Sequence, residues 1–192
     1  MKKRCGWVTK DKAEKKYHDT EWGIPVHNDR LLFEFLILEG AQAGLSWSTI
    51  LAKRENYRIA FDNFDAKKIA EYDHSKIATL LLNKGIVRNK LKINSAVSNA
   101  KAFLDIQNDY GSFDKFIWSF VNGKPILNKW KTQADRPAKT EISDQMSKAL
   151  IKKGFKFAGS TICYAFMQAV GMVNDHEVDC FRHKEINKVK AM

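Results

Sequence analysis

The chain has 192 residues, 44% of them apolar, and carries 33 Lys and Arg against 22 Asp and Glu, a net charge of +11. That length suits one domain with its own core, and no stretch approaches the ~20 apolar residues of a membrane-spanning helix. Three cysteines without paired spacings exclude a disulfide framework and point to a reducing, cytoplasmic setting, while the basic balance favours an anionic partner, nucleic acid ahead of a membrane surface.

The start, MKKRCGWVTK, has basic residues but no apolar run behind them, so no signal peptide is expected. Residues 29–39, DRLLFEFLILE, are apolar nearly all round and predict a buried central helix, capped by Asn28 or Asp29 and ended by Gly40. Helical spacing continues over 47–60 in Trp47, Ile50, Leu51 and Tyr57. Asp65 and Asp73 are placed to cap two short helices, AKKIAEY and HSKIATLLL. A longer helix is predicted over 88–106 and a short one over 112–121. Residues 122–139 contain Pro125, Pro137 and Gly123 and read as a loop. Helices resume at about 141–152 and 161–170. The expected fold is all-α, a single domain over 1–192, with 181–192 as a flexible basic tail.

Four side chains at the two ends of the chain form a candidate metal set. Twelve residues separate Cys5 from His18, and three separate His176 from Cys180. Two thiolates and two imidazoles suit a closed tetrahedral zinc site, and a helix would put the second pair on one face. If all four converge, one structural ion ties the first segment to the last. The same spacings fit a buried thiol and two surface histidines, and spacing does not choose between them.

Two further segments stand out. In 148–161, KALIKKGFKFAGST, Gly154 and Gly159 punctuate a turn carrying Lys152, Lys153 and Lys156. A helix starting near Ser160 and Thr161 would offer free backbone N–H groups to a phosphate. An ordinary helix connection with solvated lysines fits equally. Near the other end, Trp7, Tyr17, Trp22 and Trp47 fall in the first quarter of the chain, and Glu39 closes the run FLILE. Aromatic faces stack on a flat base, and a carboxylate accepts from an exocyclic amine. A solvent-facing glutamate beside core tryptophans is the alternative.

The blocks CGWV, YHDTEWG, LEGAQAGLSW, KRENYR, GIVRNKLKI, IWSFVNGKP and KKGFKFAGSTICYAFMQAVGMVNDH, with Cys180 after them, occur in that order from residue 5 to about 180. They resemble the 3-methyladenine DNA glycosylase I family, a zinc-containing branch of the helix-hairpin-helix DNA glycosylases. The resemblance implies excision of N3-methyladenine from alkylated double-stranded DNA by a monomer with one structural Zn2+ and no nucleotide cofactor. It places the zinc ligands on Cys5, His18, His176 and Cys180. It places the base pocket on Glu39, Tyr17 and Trp47, lined by Trp7 and Trp22, with Glu39 the catalytic candidate. The hairpin falls on Lys152 to Thr161, including Lys153, Gly154, Lys156, Gly159 and Ser160. The turn Ala43-Gly44-Leu45 becomes the probe that fills the gap left by an extruded base, and LLNKGIVRNKLKI falls near the DNA.

Relatives in the wider superfamily place a catalytic aspartate after the hairpin. The nearest here is Asp175, at a shorter interval and directly before His176, so it reads as a helix cap or a support for the metal site. The absence of a lysine at a nucleophile position favours a monofunctional enzyme. A damage-sensing protein without catalysis and a zinc hydrolase are the competing classes. The first lacks a reason for the Glu39 cluster. The second needs an open metal position that a four-ligand set does not leave.

Overall fold

In the computed structural model, which describes residues 2–186, helices begin where the sequence offers a short polar side chain. Asp11 accepts from the Glu14 N–H and opens α1 (Lys12–Thr20). Asn28 does the same for α2 (Asp29–Gln42) and Ser46 for α3 (Trp47–Ala60). Asp65 opens α4 (Ala66–Ala70), Asp73 α5 (His74–Leu82), Asn89 α6 (Lys90–Tyr110) and Ser112 α7 (Phe113–Trp118). Thr140 caps α8 (Glu141–Lys152) in a reciprocal box with Ser143. Each cap gives a partner to an N–H that the helix itself leaves bare. Two later helices, α9 (Ser160–Ala169) and α10 (Phe181–Glu185), start without a side-chain cap.

The expected helical class holds. The all-round apolar character of α2 places it at the centre, against α3, α6, α7 and α9. Leu32, Phe33, Phe35, Leu36 and Leu38 are all buried there. Its buried charge Glu34 is fully enclosed and accepts from Arg54 Nε at 2.7 Å and Arg58 Nη2 at 2.8 Å, which fastens α3 to α2. Among the described residues no helix is long and apolar enough to cross a membrane.

Four expectations need correction. Gly40 does not end α2, which runs to Gln42. A Cβ at Gly40 would meet Phe157 Cβ at 3.2 Å, so glycine is needed because the turn after α8 crosses the helix here. The loop 122–139 contains β1 (Ile126–Leu127), which pairs in parallel with β2 (Val173–Asn174). Two-residue strands carry no readable alternation. α1 was not anticipated. Finally, 181–186 is not a loose tail: α10 occupies most of it, Arg182 and Ile186 are buried, and His183 Nε2 lies 2.9 Å from Asn128 O. So short a helix is held by its neighbours, not by its own periodicity. The rest of the predicted tail, 187–192, lies outside the described residues.

Candidate active site and metal centre

The N-terminal segment and the stretch after β2 meet at Cys5, His18, His176 and Cys180. All four are buried, and their donor atoms lie within 4.8 Å of one another. His176 and Cys180 do not share a helix face; they bracket the turn that leads into α10. Cys5 Sγ is 3.5 Å from His176 Nδ1, Cys180 Sγ 3.4 Å from His18 Nε2 and 3.7 Å from His176 Nδ1. The outward nitrogens are engaged elsewhere. His18 Nδ1 is 2.8 Å from Asp19 Oδ1, and Arg4 forks onto the same carboxylate. His176 Nε2 is 3.1 Å from the Trp22 carbonyl. With the outer nitrogen donating, each ring turns a lone pair toward the thiols. Burial also lowers the His176 pKa, which favours the neutral, ligating form. Between the thiols, a hydrogen bond to Cys180 and then burial hold Cys5 protonated. The same bond, with help from both histidines, pulls Cys180 toward thiolate. The group is positioned to hold a metal ion.

Beside this cluster lies a cavity of about 370 Å³. Trp7, Tyr17, Trp22 and Trp47 form its aromatic lining, with the Tyr17 ring 5.3 Å from Trp47 and Trp7 5.2 Å from Trp22. Glu39, from the last turn of α2, opens into it. Glu39 is only 5% exposed, and no described side chain or amide donates to it. Burial pushes its pKa up to about 8. The Tyr17 hydroxyl is likewise without a protein partner, and burial, then the nearby Glu39, raises its pKa well above the usual range. An aromatic slot with an unmatched acid and an unmatched hydroxyl can clasp a flat, polar-edged ligand.

The segment expected to grip a phosphate forms the turn between α8 and α9. Gly154 adopts φ +100°, and the turn is held by Ser147 Oγ donating to Ala158 O and by Asn99 bonding both the N–H and the carbonyl of Lys156. No side chain caps the first N–H groups of α9, beside Gly159, Ser160 and Thr161. Lys152 and Lys156 are exposed, whereas Lys153 is ion-paired with Asp109 at 2.6 Å and is less available than predicted. On the other side of Gly40, Gly44 takes φ +77° and Leu45 is 41% exposed. Lys92 Nζ pins that loop by donating to Ala41 O and Ala43 O at 2.8 and 2.6 Å.

The methyladenine glycosylase family matches residues 7–183. The chain belongs to this family. It is 49% identical over 177 residues to the DNA-3-methyladenine glycosylase 1 of Escherichia coli strain K12, covering 92% of this chain and 95% of that one. A crystal structure of 3-methyladenine DNA glycosylase I superposes with a TM-score of 0.91 at 49% identity, covering 93% of this chain and 98% of the other. The enzyme from Staphylococcus aureus, described for the structural basis of its 3-methyladenine recognition, gives 0.90 at 39% identity, with 93% and 95% covered.

In this methyladenine glycosylase family member the five predicted pocket residues meet in one cavity, and the four predicted ligands meet in one cluster. Sequence reading missed Gln42, Gln133, Arg136 and Gln168, which also line the cavity. Gln42 was findable, three residues after Glu39 on the same helix face. Gln133 and Arg136 sit in the irregular 122–139 stretch, where no period points inward. Arg136 is held 3.7 Å from buried Glu177, which also accepts from the Gly6 N–H at 2.8 Å. Asp175 caps no helix. It accepts from Asn128, Trp130, Tyr164 and Gln168, which leaves it saturated and without a free lone pair for catalysis.

Proposed function

We propose that this protein excises N3-methyladenine from alkylated double-stranded DNA, hydrolysing the N-glycosyl bond and leaving an abasic site for base excision repair. The observation that carries this reading is Glu39, a buried carboxyl without a partner at the end of an aromatic cavity. Methylation at N3 makes the base cationic, so it leaves as a neutral molecule and needs no strong general acid. The enzyme's work is to extrude the nucleotide, at a few kcal/mol, and to hold it. Stacking on the tryptophans supports the extruded base by about 1–3 kcal/mol. The positive charge of the base favours the ionised form of Glu39, which then accepts from the exocyclic amine. Tyr17 adds a donor or a stacking face nearby.

Leu45 on its pinned loop is suited to fill the gap in the duplex. The uncapped start of α9, with Lys152 and Lys156, is suited to a backbone phosphate, as in a helix-hairpin-helix element. Zinc is the ion we assign to the cluster: a tetrahedral site with bonds of ~2.3 Å to sulfur and ~2.0 Å to nitrogen has S···N edges of roughly 3.5 Å. The three observed separations of 3.4 to 3.7 Å support that assignment. Four protein ligands leave no open position, so the ion would tie the chain's ends together and take no part in bond cleavage. A cytoplasmic monomer without a nucleotide cofactor accords with this reading.

The test is base release from methylated duplex DNA, with freed bases separated and identified. Release of 3-methyladenine without strand breaks is expected. A folded sample that binds DNA and frees no base would replace the enzyme with a damage sensor.

A further inference from the structure

The cavity contains three glutamines, and they are not equivalent. Gln42 and Gln133 make no side-chain hydrogen bond among the described residues, so either amide can turn over to suit a ligand. Gln168 cannot. Its Nε2 donates to Asp175 Oδ2 at 2.7 Å. Asp175 is 1% exposed, and three more donors converge on it: Asn128 Nδ2 at 2.7 Å, Trp130 Nε1 at 2.9 Å and the Tyr164 hydroxyl at 2.7 Å. Four donors on one carboxylate leave it only the acceptor role, so the Gln168 amide is locked with nitrogen toward Asp175. Its Oε1 is then committed to the other side, and no protein group donates to it. Gln168 lines the cavity that Glu39 also enters.

We infer that Gln168 is a specificity-determining residue, its carbonyl oxygen presented to the base as a fixed acceptor, and that Asp175 is the residue that positions it. The inference rests on the base-excision reading of the cavity. An exocyclic amine offers two N–H groups, so Glu39 and Gln168 can each accept one. A guanine-type lesion presents a carbonyl at the corresponding ring carbon. Facing two acceptors, that oxygen loses its hydrogen bond and is repelled, and an amide that could otherwise turn over to donate is held fast. A site built to accept from an amine discriminates against a ligand that lacks one because its own polar groups are left unmatched. The saturation of Asp175 therefore has a consequence at a distance: it removes the freedom that would let the pocket adapt.

The experiment compares release of 3-methyladenine and 3-methylguanine from the same methylated duplex by the full chain, as kcat/KM for each. Gln168→Leu keeps the bulk and deletes the acceptor. Its kcat/KM for 3-methyladenine is expected to fall about tenfold, the size of one hydrogen bond, while that for 3-methylguanine holds or rises. Asp175→Asn is expected to shift the ratio in the same direction, because an amide there lets Gln168 turn over. Gln168→Leu also removes one of the four donors to Asp175, so its melting should fall modestly with the fold retained; that loss burdens both lesions alike, and the ratio separates specificity from folding. An equal fall for both lesions, or an unchanged ratio, in folded Gln168→Leu overturns the inference while wild-type release of 3-methyladenine leaves the functional reading standing. A wild-type protein that releases neither base overturns both.

Discussion

The candidate metal cluster and the cavity lie side by side, share Trp22 as a neighbour and follow opposite rules. In the cluster every group is spoken for: His18 by Asp19, His176 by the Trp22 carbonyl, and the thiols by the two imidazoles. In the cavity the Glu39 carboxyl and the Tyr17 hydroxyl have no protein partner, and the indole N–H groups of Trp7 and Trp47 are buried with none. Burying a polar group without a partner is unfavourable, so a fold retains one where a ligand is to supply the missing bond. The contrast extends to other carboxylates. Glu34 and Asp175 are as deeply buried as Glu39, yet both are saturated by their neighbours. Burial alone does not mark the functional acid; burial with an empty hydrogen-bonding position does.

Four perturbations would break or sharpen that contrast, ordered by expected size. Cys5→Ala opens the cluster. Loss of the ion and of stability together is expected, on the order of 5 kcal/mol, since metal binding energy is folding energy in such sites. A purified variant that keeps one zinc and its melting temperature would remove Cys5 from the ligand set. Glu34→Ala should come next, at roughly 2–3 kcal/mol in denaturant unfolding, because it removes the shared partner of Arg54 and Arg58 and leaves them only Glu21 and Glu55. A loss below 1 kcal/mol would show that α3 does not depend on this ion pair.

Glu39→Gln should behave in the opposite way. Its carboxyl has a pKa raised from 4.5 to about 8 by burial. The neutral form is therefore favoured on folding, a contribution fully present below about pH 4.5 and lost as pH rises through 8. The E39Q variant avoids that loss, so its melting temperature relative to wild type should climb between pH 5 and pH 9, by up to a few kcal/mol in stability. Excision should fall roughly 10- to 100-fold, as expected for losing a hydrogen bond to a charged partner. A flat pH difference would mean that Glu39 has a partner in solution; full activity would move recognition elsewhere. Smallest is the double change Lys152→Ala and Lys156→Ala. It should leave melting unaltered and flatten the salt dependence of DNA binding by about two in log–log slope. An unchanged slope would take the phosphate grip away from this turn.

Local chemistry in the chain decided much of the fold. Asn28, Asp65, Asp73 and Thr140 start helices wherever their side chains can satisfy a bare N–H, and the apolar circumference of 29–39 leaves α2 nowhere to go but the centre. Residue type and the ordered family blocks also singled out the four side chains that meet in the cluster and the five that meet in the cavity, because soft donors and aromatics are rare enough to be informative. Tertiary structure alone decided the rest. β1, β2 and α10 are too short to carry a period and exist through their neighbours. Gly40 looks like a helix stop, yet it is a crossing point set by Phe157 from the far end of the chain. Gln133 and Arg136 enter the cavity from a segment with no inward pattern, and Gln168 enters from α9, where helical spacing does not mark a polar residue as facing a pocket. Above all, nothing local tells Glu39 from Glu34, five residues apart on one helix. Arginines on α3 close around one and leave the other open, and that depends on how two helices meet.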